Sequence, residues 1–179
     1  MLGQHKRVFE LAPYQSEWID QFDREADLLR SILGDKALQV EHVGSTSIPG
    51  MAAKPIIDIM VAVEILTRSS DLILALDGIG YNYRPLDTIA DRIFFARESQ
   101  PEIRTHHLNL TQKGSEFWKN QLLFRDYLRE NDPLASEYIQ LKNDFAEYYA
   151  RTNHLDREWK SEFVAKVLEM ANSDSQAIG

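Results

Sequence analysis

Apolar residues recur at helical spacing across residues 14–33, where Trp18, Phe22, Leu29 and Leu33 share one side and Gly34 supplies a stop. A short strand is expected over 37–43, ending at Gly44, and the chain then turns through 45–53, which carries Pro49 and Gly50. Over 55–63 the period changes to two: Ile57, Ile59, Val61 and Val63 alternate with Asp58, Met60 and Ala62, the pattern of a buried strand. A helix is expected over 70–76 with Ser69 or Ser70 as its N-cap, closed by Gly78 and Gly80. A short strand over 81–84 follows, then two strands over 92–97 and 104–111, joined by a Ser-Gln-Pro-Glu turn as a hairpin. Beyond Gly114 the texture becomes helical. The expected helices cover 115–130, with Ser115 as N-cap, then 133–150, opened by Pro133, then 156–170, with Trp159, Phe163, Val167 and Met170 on one face.

This order, helix then mixed sheet then three helices, is that of an α/β (α+β) protein. The chain has 179 residues, enough for one domain with a real core, taken here as 1–171, with 172–179 as a fraying tail. Hydrophobic residues make up 44% and charged residues 27%, ordinary proportions that point to a packed globule rather than disorder. Without cysteine, disulfides and thiolate zinc sites are excluded. Residues 1–10 lack an apolar signal region, and no apolar run approaches the ~20 residues of a membrane span, so the expected location is the cytoplasm and no membrane partner is expected. The net charge of −8 argues against non-specific nucleic-acid binding, which relies on broad basic surface. It leaves room for a small anion held by a few local cations.

Chemistry concentrates in residues 40–63, VEHVGSTSIPGMAAKPIIDIMVAV. Gly44 permits a tight turn and close approach of backbone to ligand. Ser45, Thr46 and Ser47 offer hydroxyls and N–H groups, and a helix beginning near Pro49 would add a positive dipole end; together they would form a phosphate cradle. Lys54 adds charge, and Asp58, one strand over, is placed to hold Mg²⁺ against that phosphate. The same letters are also ordinary loop composition, and an aspartate on a strand is often merely solvated, so the residues alone leave both readings open. The stretch is neither a Walker A loop nor a nucleophile elbow: the spacing from Gly44 to Gly50 is one too long for the first, Met51-Ala52 replaces its Lys-Ser/Thr, and the second needs Gly-x-Ser-x-Gly.

The strings GSTSIPGMAAKPIID, RTHHLNL and FRDYL resemble the GrpB-like family, a branch of the nucleotidyltransferase (polymerase β-like) superfamily, over about residues 13–163. The resemblance implies a nucleotidyltransferase-like mixed β-sheet with flanking helices and a C-terminal helical segment. It implies a Gly-Ser signature at Gly44-Ser45, metal-binding carboxylates on the next strand, here Asp58, and often a third acidic residue near His107 or Asn109. The sequence departs from the superfamily two residues after Asp58, where a two-metal site has a second carboxylate and this chain has Met60. Related sequences tend to have His-Leu-His where this chain has His107-Leu108-Asn109. Glu41, on the first strand, is the candidate to replace the missing ligand.

On the strand over 104–111, Thr105, His107, Asn109 and Thr111 share one face and His106, Leu108 and Leu110 the other. His107 is the candidate acid/base, metal or phosphate contact, with a hydrogen-bonded structural role as the alternative for His106. Among the basic residues, Arg104 and Arg125 are the candidate phosphate contacts, while Arg92, Arg97, Lys142 and Lys160 are further groups that either ring an anion or lie paired on the surface. Trp118, Phe124, Tyr127, Tyr138, Phe145 and Tyr148 read mostly as core. Two functions remain in view. One is Mg²⁺-dependent transfer of a nucleotidyl group from a nucleoside triphosphate to a small acceptor. The other is a non-catalytic module that binds a nucleotide or other phosphorylated metabolite.

Overall fold

The computed structural model describes residues 2–5, 8–68, 70–156 and 158–177. Its centre is a six-stranded sheet of β1 (Gln4–His5), β2 (Gln39–Val43), β3 (Ile57–Val63), β4 (Tyr81–Tyr83), β5 (Arg92–Gln100) and β6 (Ile103–Gln112). The main path runs β2-β3-β6-β5-β4, and β1 adds to β6. Every pairing is antiparallel except that of β3 with β6. That parallel pair sets Asp58 beside His107 and Met60 beside Asn109. On the other side, β2 sets Val43 beside Asp58 and Glu41 beside Met60.

The period-two alternation of β3 gives it two apolar faces with different partners. Ile57, Ile59, Val61 and Val63 face α1 (Glu17–Leu33) and α2 (Ser70–Asp77), and form the main core with Trp18, Leu29, Leu76, Phe95 and Leu108. Each such side chain contributes about 1.5–3 kcal/mol by leaving water. His106 lies on this face. Its ring is buried and held down to about 4, chiefly by that burial, and it stands near the Glu25–Arg97 pair that ties α1 to β5. The opposite face carries Asp58, Met60 and Ala62; the last two pack with Val43 and with Trp118 of α3 (Glu116–Glu130).

The C-terminal helices α3, α4 (Asp132–Thr152) and α5 (Ser161–Ala177) form a second cluster that closes over the turn after β2. Ile48 and Met51 of that turn pack against Leu128, Leu134, Tyr138, Phe163 and Val167. Ser115 caps α3 by accepting from the Trp118 N–H, and Pro133 sits in the first turn of α4, both as expected. Several boundaries differ. β5 and β6 run longer than expected, so their loop is only Pro101-Glu102, with Glu102 at φ 72°. Trp159 precedes α5 rather than lying in it, Met170 is exposed, and the helix continues through Ala177, into the stretch assigned to a fraying tail. The N-cap candidate Ser69 falls outside the described residues, and Ser70 opens α2. No helix among the described residues is long and apolar enough to cross a membrane.

Candidate functional site

The turn after β2 is built differently from the expected cradle. No α-helix starts near Pro49. Gly44 adopts φ 69°, a single 3-10 turn covers Ser45–Ser47, and an isolated bridge ties Ala53 to Ala12. The Ser47 hydroxyl donates back to Gly44 O at 2.6 Å, while Ser47 O accepts from Arg129 Nε and Nη2 at 3.1 and 2.8 Å. Buried Thr46 spends its hydroxyl on His42 Nε2 and Ile56 O. Of the three hydroxyls, that of Ser45 makes no hydrogen bond to the described residues, and Ser45 borders the cleft.

That cleft lies between the site face of the sheet and the helical cluster. It consists of two adjoining cavities. The smaller, about 300 Å³, is bordered by Ser45, Thr46, Asp58, Lys142 and Lys160, with Phe9, Tyr138 and Trp159 as an aromatic wall. The larger, about 650 Å³, is bordered by Arg92, Arg104, Asp87 and Phe94. Lys54, Ile56, His107 and Leu155 border both.

Cations dominate the lining. Lys142, nearly fully buried on α4, donates to Ala52 O and lies 5.3 Å from the Tyr138 ring centroid. Burial, with help from the like charge of Lys160, pushes its pKa down to about 7. Lys54 stands 4.4 Å over the Phe9 ring, and burial lowers it to about 8 against the pull of Asp58. Arg92 donates from Nη1 to Asn109 Oδ1 at 2.8 Å and from Nη2 to Asp87 O at 3.0 Å. None of these three makes an ion-pair contact with a carboxylate among the described residues. Elsewhere the buried and half-buried arginines are neutralised: Arg97 by Glu25, Arg84 by Glu98, and Arg125 by Glu41 and Asp126. A buried charge without a partner is costly, and it is tolerated where a ligand supplies the counter-charge.

Asp58 and His107 meet at the boundary of the two cavities, where His107 Nδ1 donates to Asp58 Oδ1 at 3.0 Å. The carboxylate fixes the ring and leaves Nε2 as a lone-pair nitrogen when the ring is neutral. That Nε2 is buried and has no hydrogen-bond partner among the described residues. Among the expected site residues, the structure thus brings together Ser45, Lys54, Asp58, Arg104 and His107. It sets Glu41 and Arg125 apart, because Arg125 Nη1 donates to Glu41 Oε2 at 2.8 Å and to His42 O at 2.9 Å, joining α3 to β2. Lys142 and Arg92 emerge as principal cleft cations. A sequence signal for Lys142 exists, since it falls in the buried stripe Leu134, Tyr138, Lys142, Phe145 of α4.

The donors do not fit a two-metal magnesium centre. Asp58 is one carboxylate, already bonded to an imidazole. Met60 is fully buried where a second would stand, and Glu41 is engaged by Arg125. Among the described residues, no cluster of three His, Cys, Asp or Glu groups is arranged to hold an ion.

The mixed sheet and its flanking helices define an α+β protein of nucleotidyltransferase-like fold. A crystal structure of the Cid1 poly(U) polymerase with MgGTP bound shares this fold, with a TM-score of 0.51 over 75% of this chain and 44% of that one, at 15% identity. The chain itself belongs to the GrpB family, whose model, described as GrpB protein, matches residues 8–170. The crystal structure of conserved protein GrpB from Enterococcus faecalis superposes with a TM-score of 0.83 over 93% of this chain and 99% of that one, at 35% identity. The glutamate-rich protein GrpB of Alkalihalophilus pseudofirmus is 34% identical over 171 residues, 94% of this chain and 98% of its own.

Proposed function

We propose that the protein binds a nucleotide or another phosphorylated metabolite in the cleft between β3, β6 and the C-terminal helices. The observation that carries this reading is the localisation of unneutralised charge. Lys54, Lys142 and Arg92 border one cleft without an ion-paired carboxylate among the described residues, on a protein whose net charge is −8. Ser45 supplies a hydroxyl to the phosphate and Lys160 adds charge at the mouth. Phe9, Tyr138 and Trp159 offer a flat apolar wall to the uncharged part of the ligand. A cytoplasmic setting, where such metabolites are abundant, accords with this reading.

A second reading, nucleotidyl transfer from a nucleoside triphosphate to a small acceptor, is favoured by the Asp58–His107 contact. There His107 would take the acceptor's proton, oriented by Asp58. Magnesium enters as the counter-ion that a triphosphate carries, and no step is assigned to it. The test is a thermal-shift panel of nucleoside triphosphates and phosphorylated metabolites, each with and without Mg²⁺. A ligand at 100 times its Kd stabilises by ~2.7 kcal/mol, or about 5–10 °C for a domain of this size. A shift with or without Mg²⁺ supports binding. Pyrophosphate release on adding candidate acceptors would promote the second reading over the first, and no shift with any phosphate compound would overturn both.

A further inference from the structure

The larger cavity has charges of its own, distinct from those of the Ser45 cavity. The Arg92 guanidinium is fixed by Asn109 Oδ1 and Asp87 O, and its carbon lies 5.2 Å and 5.5 Å from the ring centroids of Phe94 and Phe117. Two of its five N–H groups are thereby committed, and Nε is buried without a partner among the described residues. Arg104 borders the same cavity, and its charge is felt by Lys54. A planar guanidinium held rigid between rings, with donors to spare and no ion-paired carboxylate among the described residues, is organised for an oxyanion. The opposite end of the cleft has a separate pair of cations, Lys142 and Lys160. One phosphate group at Ser45 would neutralise only that end. Lys54 and His107 stand between, bordering both cavities.

We propose that the Arg92 cavity is a second oxyanion subsite, holding the carboxylate or phosphate of a second ligand while the Ser45–Lys142 cavity holds the first. This rests on the reading of the cleft as anion-binding. At about 650 Å³ the cavity is large enough for a whole small metabolite rather than a lone ion. The two ligands come together at His107, whose ring Asp58 holds in place.

Calorimetric titration of the whole chain with inorganic phosphate tests this, using wild type, Arg92→Gln, Arg104→Gln and Lys142→Met. Wild type is expected to take two phosphates. Arg92→Gln or Arg104→Gln should weaken one of them at least tenfold and spare the other, and Lys142→Met should do the reverse. Arg104→Gln keeps the test open if Arg92→Gln fails to fold. Succinate, titrated in competition, separates the sources. Displacement of only the Arg92-dependent phosphate identifies a carboxylate ligand, and failure to displace it identifies a phosphate. A single phosphate weakened by all the variants, marking one continuous site, would overturn the proposal. Binding sensitive to Lys142 alone would also overturn it while leaving the parent reading intact; no phosphate bound to wild type would sink both.

Discussion

Gly44 lies directly against Asp58: a Cβ built on this glycine would fall 2.9 Å from both the Cβ and the Cγ of the aspartate, and its φ is +69°. Real Cβ atoms do not approach so closely, and residues with side chains rarely adopt that backbone conformation. The glycine therefore lets the turn settle onto the β3 carboxylate that orients His107. Gly44→Ala is expected to cost about 1–3 kcal/mol from the backbone alone, with the clash in addition. Urea denaturation measures it, and a loss below that range would mean that the turn relaxes without strain.

Met60 occupies the position at which the superfamily pattern has a second carboxylate, yet the structure makes it part of a packed interface with Val43, Ala62 and Trp118. Met60→Asp would bury a carboxylate there without a cation. Stability should fall by about 3 kcal/mol or more, with little recovered in Mg²⁺. Met60→Leu should stay within about 1.5 kcal/mol. Denaturation curves with and without Mg²⁺ decide; a Met60→Asp protein as stable as wild type would show that the helix can lift and admit an ion.

Lys142 gives a signature in alkali. Its folded pKa of about 7 lies below the ordinary 10.5. Between those values the unfolded chain retains a proton that the folded chain has released, so this group's contribution to stability rises with pH across that window and is flat below it. Wild type should gain stability relative to Lys142→Met from pH 7 to 9.5. Pyrophosphate affinity should fall over the same range, as Lys142 and Lys54, the latter at about 8, lose their charge. Denaturation and titration at several pH values measure the two trends. A constant stability difference would mean that Lys142 keeps its proton throughout.

The two buried histidines give the opposite limb. Burial holds His42 and His106 at about 4, below the ordinary 6.5. The unfolded chain takes up protons between those values, so stability should fall as pH drops from 6.5 through about 4. His106→Gln is expected to flatten part of that slope in a melting-temperature profile; an unchanged slope would shift the effect onto His42 and the carboxylates.

Arg125 separates a structural from a ligand role. Its charged hydrogen bonds to Glu41 and to His42 O fasten α3 to β2 away from the cleft. Arg125→Met should lose about 1.5–3 kcal/mol of stability while pyrophosphate affinity of the folded protein stays unchanged. Calorimetry on the variant below its melting point checks this. A tenfold loss of affinity would restore Arg125 to the phosphate contacts.

The contrast between Arg125 and Lys142 shows how far the sequence could be read. Alternation along β3 and β6 announced both strands, and with them the faces of Asp58, Met60 and His107, because period two fixes facing without knowledge of neighbours. Ser45 and Lys54 were legible as neighbours of Asp58 at the cleft because they stand close to it in the chain. Which basic side chains reach the cleft depends on where three helices dock, and no local pattern encodes that. Arg125 and Lys142 both read as basic groups on helices. Only packing shows that the first meets Glu41, 84 residues away, and that the second, on the apolar stripe of α4, points at the turn after β2. The missing helix near Pro49 has a tertiary cause too: at Ala53 the chain bridges to Ala12, far away in the sequence, instead of coiling.

The cleft draws its walls from widely separated parts of the chain: Ser45 and Asp58 early, His107 in the middle, Lys142 and Trp159 late. A ribosome that has released the sheet has therefore not yet released all the walls of the cleft. Until α4 and the segment leading into α5 have emerged, Asp58 stands at an open surface, and the cleft lacks its helical wall. The cleft is thus a product of the strands and the late helices together, closed by residues that leave the ribosome after every strand of the sheet.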